Sequence, residues 1–240
     1  MIMVVRKLLL TPGAIALAGF ALLGGVVGLS AAEEKAVKLP APAMDAPATT
    51  QAGSDTAVFA GGCFWGVQAV FQHTRGVLNA VSGYTGGDKA SASYSLIGTG
   101  RTGHAESVQI SYDPKQISYG KLLQIYFSVA HDPTTLNYQG PDHGTQYRSA
   151  IFYQNASQKQ VAERYMAQLD AAKVFPGKIV TQLTPLTAFY PAEAYHQDYA
   201  TLNPNQPYIA RFDRPKIANL KVLMPELYRD KPVLVSQAGG

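Results

Sequence analysis

One cysteine, one tryptophan and little charge are what these 240 residues have least of. The lone cysteine, Cys63, excludes any disulfide within the chain and any CxxC or cysteine-rich zinc site. Only 15% of the residues are charged, 20 Lys and Arg against 16 Asp and Glu, and part of the +4 excess sits in the first few positions. The remainder is too nearly balanced for a nucleic-acid surface, so no nucleic-acid partner is expected. The five histidines, His73, His104, His131, His143 and His196, form no HxxxH or HxH pair and stand in no carboxylate cluster at metal spacing. No metal site is therefore expected. Against these absences, 47% apolar residues are enough for one packed core and too many for a disordered chain. Fourteen Tyr and nine Phe make the rigid contact surface largely tyrosine.

The amino terminus reads as an address. Arg6 and Lys7 precede an apolar run from Leu8 to Leu29, followed by the small residues Ser30, Ala31 and Ala32. A basic flank, an apolar stretch and an Ala-rich cut site form the pattern of a secretory signal peptide. The run is also long enough to span a bilayer, so residues 1–32 are expected to be a signal peptide or an uncleaved signal anchor. The protein would contact a membrane only in the second case. Either way the folded part is expected to be exported, periplasmic or anchored to the outer side of the cytoplasmic membrane. Residues 33–55, rich in Ala, Pro and Thr and without apolar periodicity, read as a semi-extended linker. A compact domain is expected over 56–204, with a C-terminal extension, 205–240, packed on it.

Within the domain, strands and helices alternate. Thr56–Ala60 is a short apolar run that stops at Gly61-Gly62, after which Val67, Val70 and Phe71 recur at helical spacing. Gly76 to Tyr84 reads as a strand closed by the Gly86-Gly87 turn. His104 to Asp113 alternates, with Glu106, Val108, Ile110 and Tyr112 on one face. Leu122, Leu123, Tyr126, Val129 and Ala130 predict a helix ending before Pro133. Ser149–Gln154 and Ile179–Leu183 are further strands, Ser157–Lys173 a helix and Ala192–Leu202 a short one. Mixed elements of these lengths suggest an α/β two-layer sandwich.

Cys63 follows two glycines and immediately precedes a helix. Free N–H groups and the dipole at a helix start favour an anion, so the thiol pKa is expected to be lowered. Phe64 and Trp65 beside it offer an apolar wall. The alternative is an inert, buried structural cysteine. Glu106 shares its strand face with core residues; there it would lose solvation and hold a proton at neutral pH, unless it hangs past the strand edge into water. The stretch from Gly140 to Arg148 is polar and glycine-bearing, and reads equally as a binding loop or a surface turn.

Gly62-Cys-Phe-Trp-Gly66 resembles the signature of the peptide methionine sulfoxide reductase A family. The resemblance continues through Gly83-Tyr-Thr-Gly-Gly87, Thr102-Gly-His-Ala-Glu106, Tyr112-Asp-Pro114, His131-Asp-Pro133, Asp142-His-Gly-Thr-Gln-Tyr-Arg-Ser149 and Tyr195-His-Gln197. It covers about Thr56 to Pro204, in the family's order. It implies the family's two-layer sandwich around a mixed sheet, a ferredoxin-like core with additions. The implied activity is thiol-dependent reduction of methionine S-sulfoxide, free or in proteins, repairing oxidised proteins. By the same resemblance Cys63 is the nucleophile that becomes a sulfenic acid and Glu106 the acid. Tyr94 and Tyr147 are the hydroxyls that hold the sulfoxide oxygen. Phe64 and Trp65 form the pocket for the substrate methyl, and Asp142 is a substrate-site carboxylate. No bound cofactor is implied.

The sequence departs from the family pattern after Asn203, where many members carry further cysteines that resolve the sulfenic acid and this chain has none. The reductant must then be external: a thioredoxin-like or glutaredoxin-like protein, or a small thiol. Two other readings of the residues stay open. A cysteine hydrolase would use His143 or His196 as base but has no role for Glu106, and the C-G-[SA]-C-[WY] pattern is absent. A non-catalytic exported binding domain would leave Cys63 inert.

Overall fold

The computed structural model describes residues 36–46 and 53–237, so the signal peptide or anchor expected over 1–32 lies outside the described residues. β1 (Asp55–Ala60) leads through the glycine turn into α1 (Phe64–Gln72), followed by β2 (Val77–Thr85), the single turn α2 (Tyr94–Ile97), β3 (Ala105–Tyr112) and α3 (Tyr119–Ile125). A small hairpin, β4 (Tyr138–Gln139) and β5 (Asp142–His143), precedes β6 (Ala150–Tyr153), α4 (Ala156–Ala171), β7 (Gln182–Pro185) and β8 (Phe189–Pro191). α5 (Tyr199–Leu202) and α6 (Arg214–Leu223) come last.

The sheet runs in the order β7-β6-β1-β3-β2-β8. β1 is antiparallel to both β3 and β6, whereas β6 and β7 are parallel, joined by the crossover helix α4. Its inner part, β1-α1-β2-β3-α3-β6 in spatial order β6-β1-β3-β2, is the ferredoxin-like split βαβ arrangement. β7 and β8 are additions at either edge of the sheet. This is the expected α/β two-layer sandwich around a mixed sheet.

Strand periodicity sorts the side chains. Phe59, Val108, Ile110 and Tyr112 pack into one cluster with Val67, Val70 and Phe71 of α1, Leu122 and Leu123 of α3, and Val161, Tyr165 and Leu169 of α4. Val58, Ala60, Ala105, Ala150 and Phe152 form the cluster on the other face, under Leu186 and Phe189. Glu106 belongs by alternation with Val108 and Ile110, on the helix side.

Three expectations are corrected. Residues 36–46, read as linker, are a docked strap. Leu39 is buried in the core, Val37 N–H donates to Ser128 O (2.9 Å), and Gln124 Nε2 and Tyr165 Oη donate to Leu39 O and Pro40 O (both 2.8 Å). Asp45 accepts from Gly120 N (2.8 Å) at the start of α3 and from Ser118 Oγ. Val37, Leu39 and Met44, scattered among alanines and prolines, give no periodicity, yet Leu39 anchors the segment. The helix expected over Ala192–Leu202 is broken in two, a turn at Ala194–His196 and α5, because Asp198 adopts φ +60°. The strand expected at Ile179–Leu183 pairs only from Gln182 onward. Ile179 N and Val180 N are drawn instead to Asp170 Oδ1 (3.2 Å) and Pro133 O (2.8 Å).

Beyond Pro204 the chain packs back on α1. Ile209 joins Ala69 and Ala200, and Leu220 and Met224 enter the main core. The tail then runs past the end of α1, with Arg75 N donating to Leu227 O (2.7 Å), Arg229 N to His73 O (2.8 Å) and Val233 N to Gln72 O (3.1 Å).

Candidate active site

The turn between β1 and α1 is over-determined. Gly62 has φ +84°, and a Cβ there would stand 2.5 Å from Gln139 Cβ. Gln139 cannot retreat, since its amide binds Asp132 N (3.0 Å), Asp132 O (2.7 Å) and Thr135 Oγ1 (2.8 Å). Beneath the turn, Tyr126 Oη donates to Ala60 O (2.6 Å), and Ser149 Oγ joins Tyr126 Oη (3.0 Å) to His131 Nε2 (2.7 Å). Burial lowers His131 to about 3, so this support stays uncharged.

Cys63 caps α1, partly exposed and free. Glu106, 3% exposed, accepts from the first amide of that helix, Phe64 N, at 3.1 Å. The helix start thus binds a carboxyl next to the thiol. Burial pushes Glu106 up to about 8, against the pull of the Phe64 N–H, and the carboxylates of Asp142 and Asp213 push the same way. The carboxyl therefore keeps its proton across neutral pH.

The expected lowering of the thiol pKa is overturned. Burial pushes Cys63 well above its ordinary value, and Glu106, Asp213 and Asp142 add to this, opposed by a hydrogen bond from Trp65 N–H. Desolvation and three acidic neighbours outweigh the dipole of a nine-residue helix. The resting site holds two protons, one on sulfur and one on the carboxyl.

The remaining candidates surround this pair. Tyr147, in the turn Thr145–Tyr147, has its phenol raised by burial and then by Glu106, Asp142, Cys63 and Tyr94. Tyr94, at the start of α2, is raised by burial, Glu106 and Cys63; its ring lies 4.4 Å from that of His196 and its N–H donates to Glu193 Oε1 (2.9 Å). Phe64 is buried against Tyr84 (5.8 Å) and His196 (5.1 Å). Trp65, half-buried, stacks on Tyr199 (4.2 Å, 22°) and donates from Nε1 to His196 Nδ1 (3.2 Å). Asp142, on β5, is raised by burial, and Tyr208 Oη and the Lys216 charge oppose this.

Sequence reasoning missed several neighbours. Tyr208 donates to Asp142 Oδ2, sets its ring edge-on to Trp65 (6.1 Å, 83°), and lines with Cys63, Asp142 and Lys216 a cavity of about 20 Å³. That is room for one water-sized group. Glu193, which accepts from Tyr84 Oη (2.8 Å) as well as Tyr94 N, was also missed. Neither residue carries a local pattern; only the Tyr195-His-Gln197 match lay near them in the sequence. The two histidines of the hydrolase reading are engaged elsewhere, His196 with Trp65 and His143 stacked on Tyr138 (5.3 Å, 15°).

A thiol paired with a proton-holding carboxyl, rather than with a basic imidazole, is the equipment of a cysteine-based oxidoreductase and not of a hydrolase. The comparisons narrow this. The family model for peptide methionine sulfoxide reductase matches residues 55–224, which takes in Tyr208, Asp213 and Lys216. Peptide methionine sulfoxide reductase MsrA 2 of Mesorhizobium japonicum is 65% identical over 186 residues, covering 78% of this chain and 95% of the relative. The protein of the same name from Synechocystis is 49% identical over 80% of this chain and 89% of its own length. Among solved structures, methionine sulfoxide reductase A of Corynebacterium diphtheriae superposes with a TM-score of 0.56 at 34% identity, covering 73% of this chain and 87% of that one. Reduced Mxr1 from Saccharomyces cerevisiae gives 0.57 at 32% identity, over 68% and 91%. The chain belongs to the peptide methionine sulfoxide reductase A family. Its activity is that of a peptide-methionine (S)-S-oxide reductase, which reduces methionine sulfoxide at the expense of thiols.

Proposed function

We propose that Cys63 and Glu106 carry this reaction as a pair, on the observation that a carboxyl protonated up to about pH 8 is held by the first amide of the helix that Cys63 caps. The Cys63 sulfur attacks the sulfoxide sulfur while Glu106 protonates the sulfoxide oxygen. The thiol proton then replaces the one Glu106 gave. Oxygen passes from sulfur to sulfur, yielding methionine and Cys63 sulfenic acid, and the equation balances without a prosthetic group or metal. Tyr94 and Tyr147 hydrogen-bond the oxygen, Trp65 and Phe64 wall the methyl, and Asp142 lines the cavity where the departing oxygen sits on Cys63.

Recycling follows from cysteine arithmetic: no second thiol exists in the chain. An external thiol condenses with the sulfenic acid to release water and form a mixed disulfide, and a second thiol frees Cys63. A thioredoxin-like or glutaredoxin-like partner or a small thiol fits this role. Arg6, Lys7, the apolar run to Leu29 and Ala31-Ala32 support export, with a membrane contact only through an uncleaved anchor. Cell fractionation tests that, and full-length protein in the cytoplasm refutes it.

The enzyme is tested by incubation with each epimer of a methionine sulfoxide peptide, with and without dithiothreitol. The S epimer alone is expected to turn over. Without reductant, one enzyme should reduce about one sulfoxide and leave a dimedone-trappable Cys63. Several equivalents reduced without thiol would overturn the sulfenic acid route.

A further inference from the structure

The C-terminal tail is tied to the loop that holds Trp65 through one buried carboxylate. Asp198, 2% exposed, accepts from Gln72 Nε2 (2.6 Å), Val235 N (2.9 Å) and Ser236 N (3.1 Å). Its own N–H donates to Gln68 Oε1 (3.0 Å). Gln68 passes the connection on, since its Nε2 binds Gln197 Oε1 (2.9 Å), and Gln197 is hydrogen-bonded to both Ser82 N (3.0 Å) and Ser82 O (2.9 Å). One polar chain thus joins the tail, α1 and β2.

Its position gives this chain a consequence for the pocket. Asp198 is flanked by the two residues that fix the Trp65 ring: His196, which accepts from Trp65 Nε1, and Tyr199, which stacks on it. Asp198 stands at φ +60°, ψ 11°, a left-handed conformation that Asp tolerates at a cost and that turns the chain from His196 to Tyr199. Three donors to its carboxylate hold that conformation, two of them tail amides. We infer that Asp198 is a positioning residue, clasping the C-terminal tail to the loop so that His196 and Tyr199 hold Trp65 where substrate meets it. The region that in other family members carries resolving cysteines here serves as a brace. The inference rests on Trp65 being a wall of the substrate pocket.

Trp65 is the only tryptophan, so fluorescence excited at the red edge of the indole band, where the fourteen tyrosines do not absorb, reads this pocket alone. Asp198→Gly keeps the left-handed backbone free of strain and removes the carboxylate. Val235→Pro removes one tail donor without touching the loop and carries the test should Asp198→Gly not fold. Both variants are expected to shift Trp65 emission and increase its acrylamide quenching. KM for the sulfoxide peptide should rise about 3- to 10-fold, the scale of one ordinary net hydrogen bond because the clasp reaches Trp65 only through its neighbours, with kcat within about twofold. Asp198→Asn, which retains an acceptor, should fall between these and the unaltered protein. Trp65→Ala is the control: if it leaves KM unchanged, the pocket assignment itself fails. A raised KM in Trp65→Ala beside unaltered KM and Trp65 emission in the clasp variants overturns the clasp alone.

Discussion

Cys63 and Glu106 are placed by backbone, whereas the groups around the mouth of the site are placed by one another's side chains. The thiol follows the central strand through a turn that admits only glycine at position 62, and Glu106 is paired across the ladder with Tyr84. Trp65, Tyr94 and Asp142 depend instead on His196, Tyr199, Glu193 and Tyr208, residues that come together only when the last third of the chain packs down. A floor fixed by strand register tolerates buried, proton-holding groups that would otherwise rearrange. A rim fixed by exchangeable hydrogen bonds sets how well substrate is gripped. Substitutions in the floor should therefore abolish chemistry, and those in the rim should tune binding.

The largest effect is expected at the thiol. Cys63→Ser should lose turnover below about a thousandth with the circular dichroism spectrum unchanged, because a hydroxyl is a far poorer nucleophile at neutral pH; residual activity above a tenth would remove Cys63 from the mechanism. Glu106→Gln should lower kcat about 10²-fold or more. The unaltered enzyme should lose activity as pH rises through about 8, where the carboxyl ionises, and the amide variant should lack that limb. The same shift bears on stability. A carboxyl raised from its ordinary value to about 8 binds its proton more tightly when folded, so its stabilising effect is full below the ordinary value and fades as pH rises towards 8. Chemical denaturation should then find Glu106→Gln gaining on the unaltered protein between pH 5 and pH 9; a constant difference would mean the carboxyl is solvated.

At the rim, Tyr208→Phe removes the hydrogen bond to Asp142 and should raise KM several-fold while kcat changes little, a contrast steady-state kinetics would expose. A kcat loss as deep as that of Glu106→Gln would move Tyr208 into the floor and break the division. The smallest effect is expected farthest away. Asp45→Ala unties the strap from the start of α3 and should cost about 0.5–2 kcal/mol in urea denaturation with kinetics unchanged.

The division also explains what could be read from the sequence. Alternation put Glu106 among core residues, and a double glycine between strand and helix marked Cys63, so the floor was legible from local pattern. The direction of the thiol shift was not, because the carboxylates that raise it come from β3, β5 and the segment before α6, and only the tertiary fold gathers them. The break at Asp198 was hidden because Tyr195, Tyr199 and Leu202 keep helical spacing across it. Hairpin strands two residues long carry no period, and the strap residues packed on the core, Ala36, Val37, Leu39 and Ala46, follow none either.

The central strand has one further effect, on how the chain is made. β1 is the first strand among the described residues to emerge during synthesis, yet Phe59 pairs with Val108 on one side and Ile151 on the other. One edge of β1 stays open until β3 has been synthesised and the other until β6 has, and such distant pairings close slowly. Cys63 comes directly after that waiting strand, well before the residues that line its cavity, Gln139 to Lys216, have been synthesised. With no second thiol in the chain, the nascent polypeptide has no wrong disulfide to form with itself, so errors during maturation are confined to encounters with other molecules.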